Sequence, residues 1–348
     1  MAAVDNARHQ FALLEISAMA LAHSLGFPRF GYDREQLAAR WQLQRDAGID
    51  LLPVADFAGG DQVLAHSLGF GVVAESRSGE VAPSVDLGRW FDGVHHYAIP
   101  QFDADQHFRL DWEALFEEVE AARALGHQVK PVLLGPISYL WLGQSKDAGF
   151  DRLDLLERLL PVYGEIFQRL AGQGVEWVQI DEPVLALELP QAWKNAFERA
   201  YNLLQRDPLK KLVAACFGGL QDNLGVAVGL PVDGLHVDLV GAPDQYPAVL
   251  DRLPAYKVLS LGLVDARNEG AGDLRQAFEV LQHAHDRLGE RLWVAPSSSL
   301  SGASLLPSRD DYVDTELSFG VRKCRDVGIL TRALSNPDAL ASLAACAA

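Results

Sequence analysis

The stretch Trp177-Val178-Gln179-Ile180-Asp181-Glu182-Pro183 is a short apolar run that stops on two carboxylates and a proline. Its length and its turn-forming end read as a buried strand delivering polar groups to a loop, since a helix of this kind would run longer. Runs of the same type recur along the chain. Candidate strands are Leu25 to Phe30, Ile49 to Val54, Gln128 to Leu134, Glu176 to Ile180, Leu212 to Phe217, Gly234 to Val240, Lys257 to Leu263 and Arg291 to Ala295. Segments of helical period lie between them: Arg34 to Asp46, Trp112 to Leu125, Leu153 to Ala171, Ala192 to Gln205, Leu220 to Val228, Pro243 to Leu253 and Leu274 to Leu288. In Trp112 to Leu125, the residues Leu115, Phe116, Val119, Ala122 and Leu125 form one apolar face, and Glu117, Glu118 and Glu120 fall elsewhere.

Continuous apolar strands that alternate with helices predict a parallel sheet covered by helices. A doubly wound open sheet has similar periodicity, but no G-x-G-x-x-G or G-x-x-x-x-G-K-[ST] follows the first candidate strand. Polar, Gly and Pro residues cluster instead after several strands: Pro28-Arg29, Asp56-Phe57, Gly135-Pro136, Asp181-Glu182-Pro183, Gly218-Gly219 and Pro296-Ser297-Ser298-Ser299. A closed (β/α)8 barrel gathers all of these at one rim, so the expected fold is α/β, a single TIM barrel. The long irregular stretch Gly69 to Gln106 is expected to cap the mouth. One domain is expected over residues 1–348, with residues 1–24 a helical extension whose amphipathic helix is Phe11 to Ala22.

Composition narrows the function classes. A net charge of -17 repels nucleic-acid phosphate over most of the surface, so DNA or RNA is not expected as a partner. Phe11 to Ala22 is interrupted by Glu15 and Ser17, is too short to span a bilayer and lacks a signal peptide's basic start, so no membrane partner and a cytoplasmic location are expected. Cys216, Cys324 and Cys346 show no C-x-x-C spacing, which fits a reducing compartment.

The strand ends carry a family resemblance. Leu25-Gly26-Phe27-Pro28-Arg29, Ala47 to Val54, Lys130-Pro131-Val132-Leu133-Leu134-Gly135-Pro136, Trp177 to Pro183, Leu235-His236-Val237-Asp238-Leu239-Val240 and Leu292-Trp293-Val294-Ala295 closely resemble the N-terminal domain of cobalamin-independent methionine synthase. So do Trp90-Phe91-Asp92 and His96-Tyr97, in the family's order. The resemblance implies methionine biosynthesis: methyl transfer from 5-methyltetrahydrofolate, as substrate, to homocysteine or a related thiol. It also implies that zinc comes through a separate zinc-bearing barrel, the family's second half, and that this chain helps to hold the folate. Two departures stand out. The family's basic helix after Phe27-Pro28-Arg29, thought to face the folate tail, is replaced by Gly31-Tyr32-Asp33-Arg34-Glu35, and its Ser-Cys-Ser-Leu reads Ser297-Ser298-Ser299-Leu300.

The residues themselves leave alternatives open. Asp181 and Glu182, acids directly after a strand, could hold a substrate amine or protonate a pterin nitrogen; Asp181 could equally cap a helix or pair with a rim arginine. Asp56 and Asp61 are candidates for an ammonium group, again against capping. His95, His96 and Tyr97, with Trp90-Phe91, could stack a pterin or form the loop's own core. Arg29 is a plausible carboxylate partner. Cys216, Asp238 and Ser298 complete the candidate substrate-binding set at the strand ends, with Cys216 alternatively a buried small hydrophobe. Serine is a poor zinc ligand, so no complete metal site is expected within the chain. An autonomous one-barrel methyltransferase and a non-catalytic folate or amino-acid binding module are the rival readings.

Overall fold

The computed structural model describes residues 20–28, 34–56, 61–72, 86–91, 93, 96–268, 270, 272–300 and 310–336, the last segment with side chains from residue 317. Eight parallel strands run in chain order around the sheet: β1 (Leu21–Ala22), β2 (Leu52–Val54), β3 (Val129–Leu134), β4 (Trp177–Asp181), β5 (Lys210–Ala215), β6 (Gly234–Asp238), β7 (Val258–Val264) and β8 (Leu292–Pro296). β8 pairs back onto β1 through Leu21 opposite Trp293. The last gap is closed by the parallel bridge of His23 with Leu51 and by the Asp50 amide donating to the Ala22 carbonyl at 2.9 Å. The sheet is thus a (β/α)8 barrel, and because all eight strands are parallel their C-terminal ends share one rim.

The helices that cover it are α1 (Arg34–Asp46), α2 (Gln62–Gly69), α3 (Glu113–Ala124), α4 (Pro136–Leu142), α5 (Leu156–Gly172), α6 (Gln191–Leu204), α7 (Leu224–Gly229), α8 (Tyr246–Arg252), α9 (Leu274–Leu288) and α10 (Asp310–Ala333). Each main helix buries one stripe. In α5 it is Leu156, Leu159, Leu160, Tyr163, Ile166, Phe167 and Leu170, the i, i+3, i+4 pattern that lays a helix along a strand pair. Outward-facing strand residues such as Val178, Ile180, Val213, Leu235 and Val237 meet these stripes in the main core. Among the described residues no helix is long and apolar enough to cross a membrane.

Four sequence expectations need correction. The first strand is Leu21–Ala22, not Leu25 to Phe30; Leu25 to Pro28 is rim loop, where Pro28 cannot donate to a ladder and the Phe27 amide turns to the Asp56 carboxylate at 2.6 Å. The end of the expected helix Phe11 to Ala22 is consequently strand, and the rest of it lies outside the described residues. Leu125 does not join the α3 stripe; it follows the helix and is 56% exposed. Glu118, expected away from that face, is buried because its carboxylate accepts the Ala55 amide at 2.9 Å.

The stretch Gly69 to Gln106 contains a two-stranded antiparallel hairpin of Leu87–Arg89 with His96–Ala98, and Gln101–Phe102 pairs with Gln144–Ser145. Its Trp90 and Phe91 reach Phe217 just past β5, so this part of the stretch covers the mouth as expected.

Candidate functional site at the barrel mouth

Side chains two apart on a strand share a face, so the lumen fills in layers. The floor is apolar: Leu51, Trp177, Leu212 and Trp293, with the two indoles edge to face at 4.6 Å. The middle is polar. Lys130 is wholly buried and gives its ammonium to the Ser24 carbonyl at 2.8 Å and to the Gln179 side-chain oxygen. Gln179 in turn donates to the Leu25 carbonyl at 2.9 Å and to Asp181 at 2.7 Å. On the far side Ser260 links His23 Nε2 at 2.6 Å to His236 Nδ1 at 2.8 Å. Burial drives both imidazoles well below the usual range, His236 to about 3, so they are neutral partners of the serine. Above this layer Leu25, Ala214, Cys216 and Ala295 make a second apolar ring.

A pocket of about 300 Å³, part of it open to solvent, sits on that ring. Leu25, Trp90, Asp181, Pro183, Cys216 and Phe217 line it, with Ala214 and Ser299 completing the wall. Phe217 holds φ 69°, a left-handed conformation that a bulky side chain rarely adopts, and Ala55, beside Asp56 on the same rim, holds φ 56°. Backbone strain of this kind is characteristic of functional sites.

Asp181 presents its carboxylate to the pocket. Its acid is raised above the usual carboxylate range, chiefly by burial, against the hydrogen bonds from Gln179 and Gln62 and the field of Lys130. Burial pulls Lys130 down in turn, with Asp181 and Asp56 acting the other way. Gln62 reaches Asp181 at 3.3 Å from the start of α2. That helix is anchored by His66, which accepts the Leu134 amide on Nε2 and donates from Nδ1 to the Gln62 carbonyl, both at 2.7 Å.

Glu182, one residue on, points the other way. Its buried carboxylate accepts from the Ser138 amide at 2.8 Å, the Ser138 hydroxyl at 2.6 Å, the Ile137 amide at 3.3 Å and the Tyr201 hydroxyl at 3.0 Å. It therefore caps the N-terminus of α4 from outside, satisfying amides that have no partner within the helix. Burial pushes its acid up to about 7 despite those bonds. Glu182 does not line the pocket.

The other candidates spread around the rim. Asp56 is buried, accepts the Phe27 amide and faces Arg40 at 3.5 Å, while Arg40 also holds the Phe27 and Pro28 carbonyls. Asp61 caps α2 through the Leu64 amide at 2.9 Å and pins the hairpin by the Ala98 amide at 2.5 Å, the capping alternative. Asp238 takes the Val240 and Gly241 amides at 3.0 and 2.7 Å and faces Arg267 at 3.6 Å. Tyr97 donates to the Leu142 carbonyl at 3.1 Å and packs on Trp90, making the loop's own core; His96 is exposed on the hairpin. Ser298 is buried just past β8, and it is Ser299 that reaches the pocket. Arg29 and His95 lie outside the described residues. Among the described candidates, the pocket brings together Asp181, Cys216 and, from the aromatic loop, Trp90.

The donor set at the mouth does not fit a zinc ion. A site would need three or four converging ligands with the thiol ionised. Burial instead pushes the Cys216 thiol well up, with Asp181 and Asp238 adding to the effect. Both oxygens of Asp181 and Oδ1 of Asp238 accept from protein donors, Asp238 Oδ2 faces Arg267 at 3.6 Å, and no group of three or more His, Cys, Asp or Glu side chains converges among the described residues. Lys130, Gln179, Gln62 and Glu118 were missed from the sequence. The available signal was a polar residue two positions before a rim acid, as Gln179 precedes Asp181 and His236 precedes Asp238.

Residues 34–289 match the family model described as the cobalamin-independent synthase N-terminal domain. The fold is shared with a B12-independent methionine synthase from Shewanella sp. W3-18-1 in complex with selenomethionine, at a TM-score of 0.64 and 13% identity over 90% of this chain and 97% of that one. A putative vitamin-B12 independent methionine synthase from Listeria monocytogenes matches with a TM-score of 0.59 and 14% identity, covering 86% of each chain. A methyltransferase from Methanosarcina mazei matches at 0.62 and 11% identity, over 89% of this chain and 94% of that one. Since the family match spans most of the sequence and the barrel carries its strand-end residues on one rim, the chain belongs to the cobalamin-independent methionine synthase family, as a member of its N-terminal domain.

Proposed function

We propose that this barrel serves methyl transfer from 5-methyltetrahydrofolate to homocysteine or a related thiol, working with a separate zinc-bearing barrel and supplying one wall of the folate cleft. The observation that carries the reading is the family match over residues 34–289, joined to a mouth whose donors do not suit zinc. The metal would activate the thiol on the partner by replacing its proton. On this chain Asp181 would meet the substrate at the pocket, Gln179 and Gln62 would hold its carboxylate in place, and Glu182 would fix α4 beside it. The hairpin bearing Trp90 would exclude water from the cleft.

The test is to mix the purified chain with a zinc-bearing barrel of the same family and follow methionine formation from 5-methyltetrahydrofolate and homocysteine. A stable complex whose turnover depends on this chain is expected. Failure both to bind and to raise turnover would end the proposal. A second reading, a barrel active alone, draws on the Shewanella protein, matched over 97% of its length and described as a methionine synthase. It requires turnover by this chain without a partner.

A further inference from the structure

The mouth pocket asks for a particular kind of occupant. Among the described residues, Asp181 is the charged side chain in its lining, and both of its hydrogen-bond donors, Gln179 at 2.7 Å and Gln62 at 3.3 Å, are neutral amides. Lys130 spends its ammonium below, on the Ser24 carbonyl and Gln179, rather than in contact with Asp181. The same lining holds the aromatic side chains Trp90 and Phe217, their rings crossing at 85°, and Phe91 stacks on Phe217 at 6.4 Å. Leu25, Pro183 and Ala214 supply the rest with hydrocarbon.

A carboxylate facing aromatic rings in an apolar pocket selects a cation. A primary ammonium brings three N–H donors, and beyond Asp181 the described lining side chains offer the Ser299 hydroxyl and the weakly accepting Cys216 thiol, so desolvation would go partly uncompensated. A fully alkylated cation asks for no hydrogen bond and presents its methyl groups to the ring faces. We propose that this pocket binds a methylated onium group, a quaternary ammonium or a sulfonium, with Asp181 as counter-ion and Trp90 and Phe217 as its cage. The inference shares Asp181 and its pocket with the methyl-transfer reading but needs neither folate nor a second barrel, so onium titration and methionine formation can fail independently.

Calorimetric titration of the full chain with tetramethylammonium and with trimethylsulfonium tests it, using neopentyl alcohol as the uncharged isostere and methylammonium as the primary amine. Both onium ions are expected to bind at one site, roughly tenfold or more tighter than either control. Asp181→Asn is expected to lose that preference. Phe217→Gly, favoured by the backbone at φ 69°, removes a ring and is expected to weaken binding by roughly tenfold. Equal binding of neopentyl alcohol, tighter binding of methylammonium, no onium binding, or onium binding unchanged in Phe217→Gly would each overturn the proposal.

Discussion

Glu182→Gln separates a capping carboxylate from a catalytic one, and its effect can be worked from the structure. The acid of Glu182 rises from 4.5 to about 7 because burial outweighs the bonds from Ser138, Tyr201 and Ile137. A carboxyl raised by folding contributes stability that is complete below its unfolded value and is lost as pH climbs through the folded one. Over the window from 4.5 to about 7 the protein therefore becomes less stable, as far as this group is concerned, by an amount on the order of 3 kcal/mol. Glutamine has no proton to lose and escapes this decline. At low pH the variant should be the weaker protein by about 1–3 kcal/mol, because an amide nitrogen facing Ile137 N–H leaves that donor unpaired at the α4 start. Urea denaturation of both proteins at about pH 4.5 and about pH 8 reads the difference directly. The variant's relative stability should improve by on the order of 3 kcal/mol from the lower to the higher pH. A difference that stays flat would mean that Glu182 titrates as an ordinary carboxyl, and one of opposite sign would mean that its hydrogen bonds dominate burial.

Three other perturbations follow from the same contacts. Arg40→Met leaves the buried Asp56 carboxylate without its guanidinium and should cost about 3–5 kcal/mol by chemical denaturation; a loss below about 1 would show that the pair is dispensable. Asp61→Ala removes the α2 cap and the Ala98 tie, costing about 1–2 kcal/mol, with faster hydrogen exchange at the Ala98 amide as the local signature; unchanged exchange there would refute the tie. Gln179→Leu strips Lys130 of one acceptor and Asp181 of one donor, and should destabilise by about 2 kcal/mol or more; a neutral result would show that the middle layer is not held by this amide.

Much of the barrel was legible because strand burial on both faces leaves uninterrupted apolar runs, as in Leu212 to Ala215 of β5 and Leu292 to Ala295 of β8. β1 escaped because two residues followed by His23 and Ser24 make no such run; its pairing with β8 and the bridge to Leu51 decide it. The acidic pair Asp181-Glu182 shows the limit for the site. Adjacent residues at a strand end face opposite ways, so one carboxylate enters the lumen and the other caps α4 behind it, and their order in the sequence carries no mark of which does which.

What the sequence by itself determined was the repeat of buried strands and covering helices, the acids and prolines at the strand ends, and through them the family. Tertiary structure decided which of those acids are spent holding backbone amides and which one faces a pocket. The reason is that periodicity reports local burial, whereas the partners that set the role of Asp181, Gln179 and Lys130 arrive from strands and helices remote in the chain.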